Sequence, residues 1–423
     1  MNNFLLISPK FPPSNAIGSK RALNIVRHLP RYGWYPVVLA APVSQQECDK
    51  SVMKLLPEKT NVSYRFTSVF QKPPGVKNRE NNKTSLLKKM AAKGPYYTPF
   101  DQYLSQVPAA IRAGKQLIRQ YKPRLILVNA DPWSGFIVGN RLSKWADIPW
   151  IADLRDPWSM HAFKMSLRPW IIRFLINHFE SVFFHNAAKV ILNTRMCSIA
   201  YQEKYGATLD NEHFIYIRNA FDPECYDAPD DIGEKNKFSL HYFGSFRNYQ
   251  GPGHLFELFR QFIQKYNLNP DEAELVLYGE QREEDLQHIQ NMNISTYIRL
   301  HEAVSLRDTL YCLRNASVLV LIEGPYKRLQ LPAKLYDYLA ARRPILALSD
   351  NNELTEIIYK TGSGLVANYH DLADAMRQLE KLYLDRKKPW QFNETGITNY
   401  SVDKQAEKFS ELFNAVVLNS HSK

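Results

Sequence analysis

Acidic residues are absent before Glu47, although Lys10, Lys20, Arg21, Arg27 and Arg31 already stand in that stretch. Between Lys54 and Arg124 only Glu58, Glu80 and Asp101 offset a dense run of lysines and arginines. Cysteine is scarce as well. Cys48, Cys197, Cys225 and Cys312 are scattered without the spacing of a metal or redox motif, which argues against a disulfide framework and for reduced thiols in the cytosol. No apolar run is long enough to cross a bilayer, and the run at residues 4–7 stops at Ser8-Pro9, too short for a secretory leader. The expectation is a soluble or peripheral protein. Signatures of helix-turn-helix, zinc-finger and RNA-binding modules are missing, as is any short tandem repeat. The net charge of +12 therefore points away from nucleic acid and toward anionic lipid or phosphorylated substrates.

What is present suits two full hydrophobic cores. The 423 residues exceed what one core usually fills, and 45% are hydrophobic. Apolar strands are expected at residues 4–7, 36–39, 125–129, 150–153, 189–193 and 214–217, with helices at 20–32, 109–121, 134–145 and 198–205 between them. A polar linker at 229–237 follows. The alternation then restarts with strands at 240–243, 275–278, 298–301, 318–322 and 345–347. Helices are expected at 253–266, 285–292, 306–314, 352–360 and 371–384. Strands separated by helices of this length predict doubly wound parallel sheets. Residues 71–97 break the pattern: they are lysine-rich, carry Pro73-Pro74-Gly75, and predict a long surface excursion. Residues 170–176 are aromatic and apolar, and a core-packed helix is the favoured reading over a surface contact.

One stretch carries the most chemistry. Leu331-Pro-Ala-Lys-Leu-Tyr-Asp-Tyr-Leu-Ala-Ala-Arg-Arg-Pro344 runs from a loop into a short helix, and an apolar strand follows. A helix N-terminus favours anions through its free N–H groups, and Lys334 beside it makes a phosphate site. Asp337, one turn on, is an acceptor suited to a ribose hydroxyl. Further marks lie at the expected ends of other strands. They are Ser8-Pro-Lys-Phe-Pro-Pro-Ser-Asn-Ala-Ile-Gly18 before Ser19, Asp153-Leu-Arg-Asp-Pro-Trp158, Arg218-Asn-Ala-Phe-Asp222, and His241-Tyr-Phe-Gly-Ser-Phe-Arg247.

Taken in order, these landmarks resemble those of retaining nucleotide-sugar glycosyltransferases of the GT-B fold, the family-four group (glycosyl transferases group 1) that includes enzymes of bacterial surface polysaccharides. The resemblance implies an α/β protein of two Rossmann-like, doubly wound parallel-sheet domains facing each other across a cleft. The expected domains are an acceptor-binding domain at 1–228, a nucleotide-sugar donor domain at 229–400, and a helix at 401–423 that crosses back to the first.

It also implies roles. Gly18, Ser19, Gly244, Ser245, Ala303, Val304, Lys334 and Asp337 fall on the donor side, with Ala303 and Val304 near the base. Asp153 and Arg21 fall on the acceptor side. Asp156, Arg155, Arg247 and Lys334 form the catalytic group, with Arg247 and Lys334 steadying the departing diphosphate. The chain departs from the pattern where Arg155 stands in place of a histidine and Leu329 in place of the first of two paired glutamates. His301 is expected as a packed strand residue. The implied activity is hexosyl transfer from a nucleotide sugar, with retention, to a lipid-linked or surface-glycan acceptor. No cofactor, metal or nucleic-acid partner is expected, and the implied location is cytoplasmic, peripheral on the inner membrane face. Two alternatives stay open: a non-catalytic or regulatory protein of this fold that binds anionic membrane or nucleic acid, and a nucleotide-sugar epimerase.

Overall fold

The computed structural model describes residues 2–14, 17–43, 50–57, 60–64, 97–225, 237–244, 246, 253–304, 306–324 and 327–420. The excursion with Lys83, Lys88, Lys89 and Lys93 lies outside the described residues, as do Ser245 and Arg247. Two compact units divide the chain: residues 1–218 with 402–423, and residues 219–401.

The first unit runs β1 (Asn2–Ile7), α1 (Ile17–His28), β2 (Trp34–Ala40), β3 (Asn61–Tyr64), α2 (Val107–Tyr121), β4 (Leu125–Ala130) and α3 (Ser134–Ala146). It continues with β5 (Trp150–Leu154), α4 (Ala162–Ser166), α5 (Trp170–Asn186), β6 (Lys189–Leu192), α6 (Arg195–Tyr205) and β7 (Phe214–Tyr216). Its seven strands are all parallel, in the order β3-β2-β1-β4-β5-β6-β7. Such a sheet is covered on both faces, which is why the central strands are unbroken apolar runs. In β1, Leu5 pairs with Val37 on one side and Ile126 on the other, and all three are buried.

The second unit runs β8 (Phe238–Phe243), α7 (Gly253–Lys265), β9 (Ala273–Tyr278), α8 (Glu283–Asn291), β10 (Ile298–His301), α9 (Leu306–Arg314) and β11 (Val318–Glu323). After these come α10 (Lys334–Ala341), β12 (Ile345–Ser349), α11 (Asn352–Thr361), β13 (Gly364–Ala367), α12 (Leu372–Leu384) and α13 (Glu394–Thr398). Its six parallel strands take the order β10-β9-β8-β11-β12-β13. The last helix, α14 (Val402–Ser420), belongs to the first unit. There Phe413 meets Phe4 and Trp34 edge-on, each with ring centroids 5.2 Å apart, and the Trp34 indole donates to Asn414 at 3.1 Å.

The core-packed reading of residues 170–176 is correct for one face of α5 only. Ile172 and Ile176 are buried, whereas Trp170 is 70% and Phe174 62% exposed. The helix extends to Asn186, and its second half supplies Phe183 and Phe184 to the core. That anchorage lets its first two turns keep an apolar face toward solvent.

Candidate functional site

In each unit the strand order reverses at one place, between β1 and β4 in the first and between β8 and β11 in the second. Loops leaving the two strands there run in opposite directions and open a crevice at the carboxyl edge, where open α/β sheets bind ligands.

At the reversal in the second unit, β8 ends in Gly244, whose φ of 110° is a conformation other residues rarely adopt. Its N–H donates to the Tyr278 carbonyl at 2.8 Å. A Cβ here would lie 3.3 Å from the Lys334 Nζ, so backbone and ammonium are neighbours. Lys334 opens α10 and carries its Nζ 3.9 Å from the centroid of the Tyr242 ring, a cation–π contact that steadies a mobile side chain. The helix itself is held by Tyr338. Its hydroxyl donates to the Val320 carbonyl at 3.2 Å and accepts the Phe243 N–H at 3.3 Å, tying α10 to both β11 and β8. Burial drives that phenol's pKa well above the ordinary value, so it stays a donor. Asp337 lies one turn beyond Lys334 and is half-buried. The structure thus brings Gly244, Lys334 and Asp337 to one helix entrance.

Ala303 and Val304 follow β10, the first exposed and the second half-buried. Beside them three rings stand at the ends of three adjacent strands. Phe243 stacks on Tyr278 at 4.2 Å and 5°, and Tyr278 stacks on His301 at 4.9 Å and 16°. His301 sits on a strand as expected, but it is exposed rather than packed, and it forms the outer end of this stack.

Glu323 and Asn351 escaped the sequence reading. Glu323 ends β11 at the base of the loop to α10 and is buried; among the described residues one carboxyl oxygen has no hydrogen-bond partner, and the Ser349 hydroxyl reaches the other at 3.5 Å. Burial pushes its pKa up to about 8, against a smaller opposing pull from Lys327. Asn351 caps α11 by accepting the N–H groups of Glu353 and Leu354, and its amide donates to the carbonyls of Lys327 and Gln330. It therefore fixes the loop leading to Lys334. The available signals were one carboxylate closing an otherwise apolar strand and an N-cap asparagine after β12.

In the first unit, Gly18 and Arg155 meet. A Cβ on Gly18, in the first turn of α1, would fall 1.7 Å from an Arg155 guanidinium nitrogen, so a side chain there would displace the guanidinium. Arg155 is set in place by its own N–H, which donates to the Ala130 carbonyl at 3.1 Å. Asp156 follows it, half-buried. The Ser19 hydroxyl donates to the Ser14 carbonyl at 2.7 Å and closes the loop before α1.

Arg21 and Asp153, expected to face an acceptor, do not. They are 3% and 0% exposed. The Arg21 guanidinium donates to both Asp153 oxygens at 2.9 and 2.7 Å, Asn129 donates to Asp153 at 2.8 Å, and Arg21 also donates to the Arg218 carbonyl. Gln405 of α14 donates to that same carbonyl at 2.6 Å. This closed network binds α1, β4, β5 and α14 to one another, and its groups have their hydrogen bonds met inside the unit.

Sucrose-phosphate synthase from Thermosynechococcus elongatus superposes with a TM-score of 0.69 over 99% of this chain and 100% of that one, at 13% identity. The fold is GT-B. A structure of S. aureus TarM in complex with Fondaparinux, alpha-GlcNAc-glycerol and UDP gives 0.64, covering 98% of this chain and 100% of that one at 12% identity. A UDP-N-acetylglucosamine 2-epimerase gives 0.58, covering 98% and 95% at 12% identity. Residues 237–385, within the second unit, match the family model described as Glycosyl transferases group 1. Among curated proteins none matches this chain in sequence.

Proposed function

We propose that this protein transfers a hexose from a nucleoside diphosphate sugar to a lipid-linked or surface-glycan acceptor, with retention and without a metal. The observation that carries the reading is the Lys334 ammonium held against Gly244 at the helix entrance, with Asp337 one turn on, inside the segment matching the glycosyltransferase family model. The diphosphate lies over Gly244 and the first turn of α10, and the ribose on Asp337. The base lies beside Ala303 and Val304, against the open face of His301.

Catalysis under this reading is electrostatic. Negative charge grows on the diphosphate as the glycosidic bond breaks, and a cation already in place stabilises it without rearranging. Lys334 supplies one such charge; Arg247, outside the described residues, is proposed as the second. Arg155 and Asp156 stand at the carboxyl edge of the first unit's sheet and are proposed to act on the sugar being moved.

A membrane-borne acceptor is supported by the free face of α5 and the turn before it. Leu167, Trp170, Ile171 and Phe174 are exposed there, no acidic residue occurs between Asp156 and Glu180, and Lys164, Arg168 and Arg173 do. An apolar, cationic surface of this kind lies on anionic bilayers rather than crossing them. None of the described helices is long and apolar enough to span a membrane.

The likeness to an epimerase keeps a second reaction in view. A thermal-stability screen over nucleotides and nucleotide sugars identifies the donor, because a ligand stabilises the state that binds it. Turnover with that donor then decides: a transferase releases free nucleoside diphosphate only when acceptor is added. Release of an isomerised nucleotide sugar without acceptor would overturn the reading.

A further inference from the structure

A cavity of about 190 Å³ opens at the carboxyl edge of the first unit's sheet, at the reversal between β1 and β4. Its wall includes Lys10 after β1, Asp131 after β4, Trp158 after β5, Asp101, Lys164 of α4 and Arg168. The volume falls below the roughly 300–1,000 Å³ of sites that enclose drug-sized ligands, and so suits a single ring.

Each wall group has a definable part. Trp158 is 2% exposed, with Trp133 stacked on one face at 4.9 Å and Phe183 stacked at 6.3 Å. Among the described residues its indole N–H has no hydrogen-bond partner, and buried donors are rarely left so. The Asp131 carboxylate stands 3.5 Å from the Lys164 ammonium, a long pair that leaves its lone pairs open to hydroxyl donors. Asp101 is taken up by Ser134, through both N–H and hydroxyl, and by the Tyr103 N–H; burial raises its pKa. It serves as wall. Lys10, Lys164 and Arg168 then outnumber the carboxylates.

A ligand for this cavity must donate to a carboxylate, accept from an indole N–H, and bring negative charge. Hydroxyls on a ring do the first two, and a phosphate does the third. We infer that this cavity binds a phosphorylated sugar, its hydroxyls on Asp131 and Trp158 and its phosphate toward Lys10, Lys164 and Arg168. The inference rests on the transferase reading only in making that sugar the acceptor. The source is either a free sugar phosphate or the head of a lipid-linked one. The second fits Arg168, which lines the cavity one residue from Leu167 and two from Trp170 on the exposed apolar face.

The test uses the full chain and binding rather than turnover. Glucose 1-phosphate, galactose 1-phosphate and N-acetylglucosamine 1-phosphate are titrated by calorimetry and tryptophan fluorescence, with inorganic phosphate and the neutral sugars as controls. At least one sugar phosphate is expected to bind tenfold or more tighter than either control. Asp131→Asn and Lys164→Gln should each weaken it at least fivefold, with thermal stability and uridine diphosphate affinity unchanged. Inorganic phosphate binding as tightly as the best sugar phosphate overturns the inference, as does binding that neither variant alters, or no binding of any probe. Nucleotide binding with no sugar phosphate bound defeats this cavity and leaves the donor site standing; the reverse defeats the donor reading alone. A further titration with the same head group on a short prenyl chain in neutral vesicles separates the sources. Tighter binding there identifies a lipid-linked ligand, and equal binding a free one.

Discussion

Lys334 and Asp337 are the residues whose roles separate most cleanly by measurement. Asp337→Ala removes one charge-assisted hydrogen bond, so nucleoside diphosphate affinity should fall by roughly 1.5–3 kcal/mol by calorimetry while the fold persists. Lys334→Ala should lower turnover at saturating donor more than it lowers donor affinity, because the charge it faces grows toward the transition state. Unchanged affinity in the first variant removes the ribose contact, and parental turnover in the second places the leaving group elsewhere.

Glu323 offers a different signature. Burial pushes its pKa up to about 8 in the folded chain, whereas in the unfolded chain it lies near the ordinary 4.5. Between those values the native state binds the extra proton, so this group's contribution to stability is full at low pH. It declines by about 1.4 kcal/mol per pH unit as pH rises toward 8. Glu323→Gln should flatten that slope and make the variant the more stable protein at pH 8. Parallel parent and variant curves of chemical denaturation from pH 5 to 8 would refute the assignment.

At the scale of elements, the loop after β5 is held by Glu180, which is buried on α5. Its carboxylate accepts the Ser159 N–H at 2.9 Å and hydroxyl at 2.6 Å, and the hydroxyls of Tyr201 and Tyr205 at 2.9 Å each. It also takes the Lys204 ammonium at 2.8 Å. The Tyr201 hydroxyl in turn accepts the backbone N–H of Trp158 at 3.0 Å. Two helices therefore fix the backbone that follows Arg155 and Asp156. Glu180→Ala leaves the Tyr201 and Tyr205 phenols without their acceptor, while Lys204 keeps the Ser159 hydroxyl and the Asn177 amide, and should destabilise the chain by roughly 1–3 kcal/mol for each buried donor left unsatisfied. Denaturant midpoints measure it, and a change below 1 kcal/mol would mean the loop is held by other groups.

The same scale explains what could be read in advance. Buried parallel strands are continuous apolar runs, so β1, β4, β5, β9, β11 and β12 were visible from composition alone. β3, with the sequence Asn-Val-Ser-Tyr at the sheet's edge, carries no such run and was missed; β13, Gly-Leu-Val-Ala, is apolar but short and follows Gly362-Ser363 directly, and it was missed too. Lys334 and Asp337 were legible because they interrupt an otherwise apolar helix. Arg21 and Asp153 were legible as charged residues but not as partners, since 132 positions separate them and only the folded sheet brings them together. The contact of Arg155 with Gly18 is of the same non-local kind.

For the whole molecule, the uneven charge and the free face of α5 make one prediction. Vesicle sedimentation should pull the parent down with anionic but not neutral vesicles, and added salt should reverse it, because each basic residue near such a surface contributes about 1 kcal/mol. Changing Trp170 and Phe174 to Ser should weaken that binding even at low salt. Equal sedimentation of parent and variant would remove α5 from the membrane reading.

The return of α14 to the first unit has a consequence for how the chain is made. Phe4 and Trp34 leave the ribosome before the second unit, yet Phe409 and Phe413, against which they pack, emerge only after it. The complete second unit is synthesised in between. It can close its own core on the ribosome while the first still waits with an apolar groove exposed, since domains tend to fold as units when their residues are available. A chain stopped after residue 401 should accordingly leave slow amide exchange in β8, β9 and β11 but lose it in β1 and β2. Nascent chain should be most prone to chaperone capture, or to aggregation, in the interval before α14 arrives.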